Sequence, residues 1–105
     1  MKIKIPQKIK LGIHEYQIRY NSVLWHEEAL KGSANHLKEV IDIDPHLAPN
    51  QKIVTLLHEI NHIINDQYSC KLDEAEINSM AEGMAELLID NLFIEFDWST
   101  IKDIK

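Results

Sequence analysis

The sequence predicts an α+β fold in which a small antiparallel sheet packs against two helices. Segments with β-type composition fill the chain from residue 1 to about residue 47. Two segments with helical patterns follow, over residues 50–66 and 74–91. Strands that precede a run of helices are typical of this fold class, because each element must bury its apolar face against another layer.

The composition predicts one globular domain over residues 1–105. Hydrophobic residues make up 45% of the chain and charged residues 27%, as in ordinary globular proteins. There is no apolar run of about 18 residues, which a membrane span requires, and no charged-then-apolar leader at the N-terminus. We therefore expect a cytoplasmic protein. The net charge of −6 argues against nucleic acid as a direct partner, since phosphate binding needs a clustered positive surface.

Three strands are predicted in the first part of the chain, over residues 9–11, 13–20 and 37–43. Lysines alternate with isoleucines within residues 1–10, which indicates an edge strand that its lysines protect from pairing with other chains. Residues 31–35 have the composition of a turn. Residues 23–30 fit either a short helix or a strand.

The first predicted helix, over residues 50–66, is apolar on most sides and is therefore expected to be buried. Asn50 is its predicted N-cap, and Asp66 lies where polar residues predict its end. The tail, residues 93–105, carries aromatic and aliphatic side chains that suit either a cover for the core or a dimer contact. Core cover is the preferred interpretation.

This first helix contains the stretch His58-Glu59-Ile60-Asn61-His62. Helical residues four apart lie one turn above each other, with Cβ atoms about 5–6 Å apart, so His58 and His62 can hold one metal ion. Glu59 is turned by about 100° around the helix axis from His58 and can take a proton from an attacking water. The spacing is that of the H-E-x-x-H motif of zinc peptidases. Two core histidines hydrogen-bonded to the backbone or to Glu59 are the alternative.

A catalytic zinc usually takes three protein ligands, and the second predicted helix offers acidic candidates. The helical period turns Asp73 and Glu74 towards the predicted core and Glu82 away from it. Asp73 is explained as an N-cap that forms a capping box with Glu76. Glu74 has no such role and is the preferred third ligand. Glu82 remains the main alternative, because its separation from the motif also suits a distant-glutamate zinc site.

These residues resemble a known family. The motif from His58 to His62, followed by the segment from Glu74 to Ala81 and the Leu87-Leu88 pair, resembles metallopeptidases of the ImmA/IrrE type. The resemblance is greater to small, stand-alone zincin-like proteins often encoded in phages and prophages, and it covers about residues 36–92. The linker between motif and glutamate is short here, and Ile77 replaces the small residue usual before the asparagine.

The resemblance implies a minimal zincin-like fold in which His58, His62 and Glu74 bind zinc and Glu59 acts as the base. Relatives of the ImmA type act on transcriptional repressors, which implies a repressor as the substrate or partner. The predicted function is therefore that of a zinc metallopeptidase acting on a peptide or protein. An extended peptide would bind by adding a strand to the edge of the sheet.

Two other functions remain open from the sequence. The first is a catalytically weak or inactive zincin scaffold that binds a regulatory protein. The second is a structural zinc site whose four ligands include Cys70 or Asp73. Cys70 is the single cysteine, so an intrachain disulfide is excluded, and an unreactive thiol is its expected state.

The histidines outside the motif are expected to be surface or loop imidazoles; they are His14, His26, His36 and His46. His36 precedes the third predicted strand and is a candidate donor to a developing oxyanion. Tyr68, just after the first helix, is a second candidate.

Overall fold

The computed structural model of the chain describes residues 1–24 and 31–104. The strands are β1 (Lys2–Lys4), β2 (Lys8–Leu11), β3 (His14–Tyr20), β4 (Gly32–Asn35), β5 (Val40–Ile43) and β6 (Glu95–Asp97). The helices are α1 (Pro49–Tyr68) and α2 (Glu74–Glu86), and a π-helical segment over Leu87–Asn91 continues α2. The predicted α+β fold class is confirmed. In the described part of the chain, no helix combines the length and the apolar character needed to cross a membrane.

The main sheet has four strands in the spatial order β2, β3, β5, β4. The pairs β2–β3 and β4–β5 are antiparallel, but β3 and β5 run parallel, with Ile18 opposite Ile41. The sheet is therefore mixed, and the prediction of an antiparallel sheet is wrong for this one pair. The cause is the β4–β5 hairpin: β4 takes the outer edge, and the chain returns beside β3 in the same direction as β3.

The two ends of the described chain meet in a small parallel pair, in which Ile3 of β1 lies opposite Phe96 of β6. The lysine-rich segment predicted as one edge strand forms two strands, β1 and β2, separated at Pro6, which has no N–H group to donate. The second of them is an edge of the main sheet, as predicted. Trp98 and Ile101 are buried in the main core cluster, so the tail covers the core, as predicted.

The β4–β5 hairpin differs from the prediction in two ways. The turn predicted over residues 31–35 is wrong, because β4 occupies most of this segment. The strand predicted over residues 37–43 begins only at Val40. Between the two strands, the Asn35 side chain accepts hydrogen bonds at 3.0 Å from the N–H groups of the second and third residues after it, and so shapes the loop.

Residues 23–30, for which the sequence left helix and strand open, are described only in part. Val23 lies in a turn, and Leu24 is buried with 4% of its surface exposed. Residues 25–30 lie outside the described residues.

The core lies between the main sheet and α1. Its fully buried side chains include Ile18, Ile41 and Ile43 from the sheet and Ile63 from α1. Ala48 is the N-cap of α1 and makes no side-chain capping bond, so the predicted Asn50 cap is wrong. Pro49 occupies the first turn, where the missing N–H costs nothing.

The second helix spans the predicted range if the π-helical segment is included. Its buried residues are Ile77, Ala81 and Ala85. Other apolar residues of this segment, Met80, Met84 and Leu87, are 45%, 39% and 52% exposed. Because α2 packs mainly on α1, a narrow stripe of three residues is enough to form the contact.

Candidate metal centre

The rotation of α1 is fixed by its apolar residues, and this places the motif histidines in a cleft. Ile53, Leu56 and Ile63 pack into the core under the sheet. His58 and His62 therefore point away from it and line a cleft of about 710 Å³. Their ring centroids are 4.8 Å apart and their Nε2 atoms 3.2 Å apart. Two imidazole nitrogens so close together suit a shared cation.

The linker between the helices places Glu74 beside the same two histidines. Ser69 ends α1 with a left-handed backbone (φ 53°) that turns the chain. The Asn65 side chain then holds Leu72 from both sides: its Oδ1 accepts from the Leu72 N–H at 2.9 Å, and its Nδ2 donates to the Leu72 carbonyl at 3.3 Å. Asp73 starts α2 with the predicted capping box. Glu74, the first helical residue, is thereby set opposite α1.

The Glu74 carboxylate meets both imidazoles. Its Oε1 is 2.7 Å from His58 Nε2 and its Oε2 is 2.9 Å from His62 Nε2. The side chain is 67% exposed and faces the cleft. The prediction that Glu74 faces the core is therefore wrong. Ligand atoms bound tetrahedrally to zinc at about 2.0–2.2 Å lie about 3.4 Å apart, close to the spacings seen here. Two histidines and a glutamate are a known donor set for catalytic zinc with an open position, so these residues fit the ion.

Other candidate ligands lie outside this group. Within residues 1–24 and 31–104, the group of three or more His, Cys, Asp or Glu side chains whose metal-binding atoms all lie within 4.8 Å of one another is His58, His62 and Glu74. Cys70 is exposed, and Asp73 is engaged in the capping box. Glu82 lines the cleft, but its carboxylate accepts a hydrogen bond from Asn78 at 3.5 Å and is not part of the group.

Glu59 lines the cleft beside the histidines although only 9% of its surface is exposed. Among the described residues, none makes a hydrogen bond to its carboxylate. Burial raises the pKa of Glu59; the neighbouring His58 and His62 imidazoles oppose this rise, and the Glu74 charge adds to it. A buried carboxylate without a hydrogen-bond partner costs stability. It is well placed to accept a proton from a molecule in the cleft.

The edge strand β4 lines the opposite side of the cleft. The Asp44 N–H donates to the Lys31 carbonyl at 2.9 Å, which sets the alternation of the antiparallel β4–β5 pair. By this alternation Gly32 and Ala34 direct their N–H and C=O groups away from β5. Among the described strands, none pairs with this outer edge of β4, and main-chain groups at such an edge can pair with an added strand.

Gly32 allows β4 to lie directly against α1. A Cβ atom at this position would be 2.5 Å from Thr55 Cγ2 and 3.1 Å from the Asp42 carbonyl oxygen. It would also lie 3.6 Å from Glu59 Cγ. A side chain at Gly32 would therefore push the edge strand away from α1.

His36 lines the cleft as well, held by two hydrogen bonds. Its Nδ1 lies 3.0 Å from the Tyr16 hydroxyl and its Nε2 2.9 Å from Asp66 Oδ2. Both ring nitrogens thus have protein partners, which an oxyanion donor would have to give up. No sequence motif identifies Tyr16 and Asp66 as partners of His36. Asp66 lies four residues after His62, and this helical spacing would have placed it on the cleft face.

The remaining predicted positions lie elsewhere. His14 pairs with Glu39 at 3.0 Å and His46 with Asp44 at 2.9 Å, in agreement with surface or loop imidazoles. His26 lies outside the described residues. Tyr68, the second oxyanion candidate, is 64% exposed in the last turn of α1 and is not among the residues that line the cleft.

Comparison with known proteins shows the family to which the chain belongs. A sequence model of the peptidase M78 family, described as the IrrE N-terminal-like domain, matches residues 12–98, a range that includes both helices and the motif. Comparisons with curated proteins and with solved structures gave no match. Since the match covers most of the chain, the protein belongs to the IrrE N-terminal-like domain family, whose domain is of the metallopeptidase type.

Proposed function

We propose that the protein is a zinc-dependent peptide hydrolase in which His58, His62 and Glu74 hold the ion and Glu59 is the general base. The observation that carries this proposal is the Glu59 carboxylate, nine-tenths buried and without a hydrogen bond from the described residues, beside three metal-binding side chains. Stability alone disfavours such a group. Membership of a metallopeptidase-type family supports the same reaction class.

The chemistry divides between the ion and the chain. When bound, zinc would act as a Lewis acid that polarises a peptide carbonyl and lowers the pKa of water to near neutrality. Glu59 takes the proton of the attacking water and passes it to the leaving amine. Glu74 and the histidines hold the ion at the cleft side of α1.

The substrate proposed is an extended peptide segment. It would add to the free edge of β4 and hydrogen-bond to the main chain of Gly32 and Ala34, across the cleft from the motif. The resemblance to ImmA-type proteins favours a transcriptional repressor as the protein that supplies this segment. The cytoplasm is the compartment in which such a substrate would be met.

Metal analysis tests the proposed ligands. We expect the purified wild-type protein to hold about one zinc per chain, as the three-residue site requires. His58→Ala and Glu74→Ala should lose the metal, whereas Glu59→Gln should keep it. Glu82→Gln is the matched control, since Glu82 lines the same cleft outside the donor group. Zinc retained by Glu74→Ala and lost by Glu82→Gln would reverse the assignment.

Peptide cleavage tests the reaction. The zinc-loaded protein is incubated with a peptide library and with a co-expressed repressor, and the products are identified by mass spectrometry. Glu59→Gln should reduce turnover by about 10²–10⁴-fold at full zinc occupancy, the usual contribution of a general base. Unchanged cleavage by Glu59→Gln would remove this residue from its role. Zinc-dependent repressor binding without cleavage by the wild type would instead identify a binding module.

A further inference from the structure

His36 connects three elements at one end of the cleft. It is the first residue after β4, and its imidazole lies between Tyr16 of β3 and Asp66 of α1. The two contacts, 3.0 Å to the Tyr16 hydroxyl and 2.9 Å to Asp66 Oδ2, use both ring nitrogens. A single side chain thus links the edge strand, the interior of the sheet and the metal-binding helix.

One assignment of donors and acceptors accounts for both hydrogen bonds, with Tyr16 donating to His36 and His36 donating to Asp66. Tyr16 is 2% exposed, and burial raises the pKa of its hydroxyl, which therefore stays protonated and donates to His36 Nδ1. His36 Nε2–H then donates to the Asp66 carboxylate. A neutral imidazole has one donor and one acceptor nitrogen, so both bonds are made by the same tautomer. The bond to the carboxylate is the stronger of the two, since its acceptor is charged.

Two contacts fix β4 along α1, one at each end. Gly32 packs against Thr55 at one end, and His36 pairs with Asp66 at the other. The strand covers about 13 Å between its two contacts at about 3.3 Å per residue. The helix covers about 16 Å between the corresponding residues at about 1.5 Å per residue. The lengths agree, so β4 runs alongside α1, and both motif histidines lie between the two contacts.

We propose that His36 is a positioning residue that fixes the substrate-binding edge of β4 over the metal centre, so that a bound peptide presents one bond to it. The inference rests on the proposed function, in which β4 binds the peptide. A strand that added to a loosely held edge would meet the metal centre in more than one register. Asp66 and Tyr16 act through the imidazole and need not contact the substrate.

The chain contains a matched control for this contact. His14 pairs with Glu39 at 3.0 Å, and the His14 side chain is 48% exposed, against 45% for His36. Both pairs join an imidazole nitrogen to a carboxylate, and the Glu39 and Asp66 side chains are 40% and 61% exposed. His14 and Glu39 are not among the residues that line the cleft. An effect of His36→Ala that His14→Ala lacks therefore belongs to the position in the cleft.

Hydrogen exchange tests whether His36 holds the strand. By the β4–β5 alternation, Ser33 and Asn35 donate their N–H groups within the pair. In His36→Ala their exchange should be at least about fivefold faster, the effect of losing one hydrogen bond. Asp66→Ala should act likewise, whereas Asp66→Asn, which can still accept from Nε2–H, should not. Unchanged exchange in His36→Ala would overturn the proposal, and His14→Ala should change nothing.

The pattern of cleavage tests whether the fixed strand sets the register. With a peptide that the zinc-loaded wild type cuts at one bond, His36→Ala should cut neighbouring bonds as well. Its KM should rise about tenfold, since binding along the edge is weakened, while kcat and zinc content change less than about twofold. A structural defect alone would not add cleavage sites. Asp66→Asn, which keeps an acceptor for His36 Nε2–H, should cut at the same single bond as the wild type.

The two proposals fail in different ways. If the zinc-loaded wild type cuts no peptide, the proposed function is refuted. If the wild type cuts and His36→Ala cuts the same single bond with the same KM, only the inference about His36 is refuted.

Discussion

The two faces of α1 differ in what their buried side chains contribute to stability. On the face towards the sheet, Ile53, Leu56 and Ile63 are at most 6% exposed and form part of the core. Burying a side chain of this kind contributes about 1.5–3 kcal/mol. On the face towards the cleft, Glu59 is almost as deeply buried at 9% exposure, yet it has no hydrogen-bond partner among the described residues. The first face stabilises the fold, and the second lowers its stability.

The difference shows where stability is exchanged for binding. Each cleft-facing histidine would be replaced by leucine if packing alone decided the sequence, and the carboxylate would be absent. A metal ion held at the proposed site would offset this cost, because its water would give the Glu59 carboxylate the hydrogen-bond partner that the described residues do not supply. The comparison therefore makes opposite predictions for substitutions on the two faces.

The largest expected effect is on the sheet-facing side. Ile63 is fully buried, and Ile63→Ala should lower the free energy of unfolding by about 2–5 kcal/mol, through lost burial and the cavity left behind. Glu59→Gln, one turn away on the cleft side, should leave it unchanged or raise it, because a buried charge is removed. Urea denaturation of the metal-free proteins measures both. A loss for Glu59→Gln as large as for Ile63→Ala would give the carboxylate a structural role.

Added zinc should offset the loss of stability that the cleft-facing side chains of α1 cause. A ligand that binds only the folded state at 100 times its Kd stabilises it by about 2.7 kcal/mol. The wild type should gain this in a urea titration with added zinc, whereas His62→Ala should gain little. His46→Ala is the control, since His46 pairs with Asp44 and does not line the cleft. Equal stabilisation of wild type and His62→Ala would place the zinc elsewhere.

The parts of the fold that local chemistry determines were predictable from the sequence. The capping box of Asp73 and Glu76 needs only residues three apart, and it placed the start of α2 correctly. The motif needs only residues four apart on one helix. In β3, the buried residues Tyr16 and Ile18 alternate with exposed ones, a pattern that depends only on residues two apart. In each case the partners are close in the chain.

The parts that depend on distant partners were not predictable. β4 consists of Gly-Ser-Ala-Asn, which has little strand propensity, and is a strand because β5 pairs with it. Its edge position also makes the sheet mixed. The contacts of His36 join residues 20 and 30 positions away, and no spacing rule relates them. The helical period predicts that Glu74 points at the core, but its side chain reaches the histidines from the exposed side of the cleft.

The two glycines that lie in β4 and α2 provide the smallest expected effects, of opposite sign. Gly32→Ala places a Cβ 2.5 Å from Thr55 on the cleft side of α1 and should cost about 1–3 kcal/mol by overpacking. Gly83→Ala meets nothing within 4 Å on α2 and should add about 0.5–1 kcal/mol through higher helix propensity. Thermal unfolding with added zinc compares the two. Because Gly32→Ala also moves β4 away from α1, it should weaken peptide binding, while Gly83→Ala should not. Equal peptide affinity in both variants would mean that close contact between β4 and the cleft side of α1 serves packing alone.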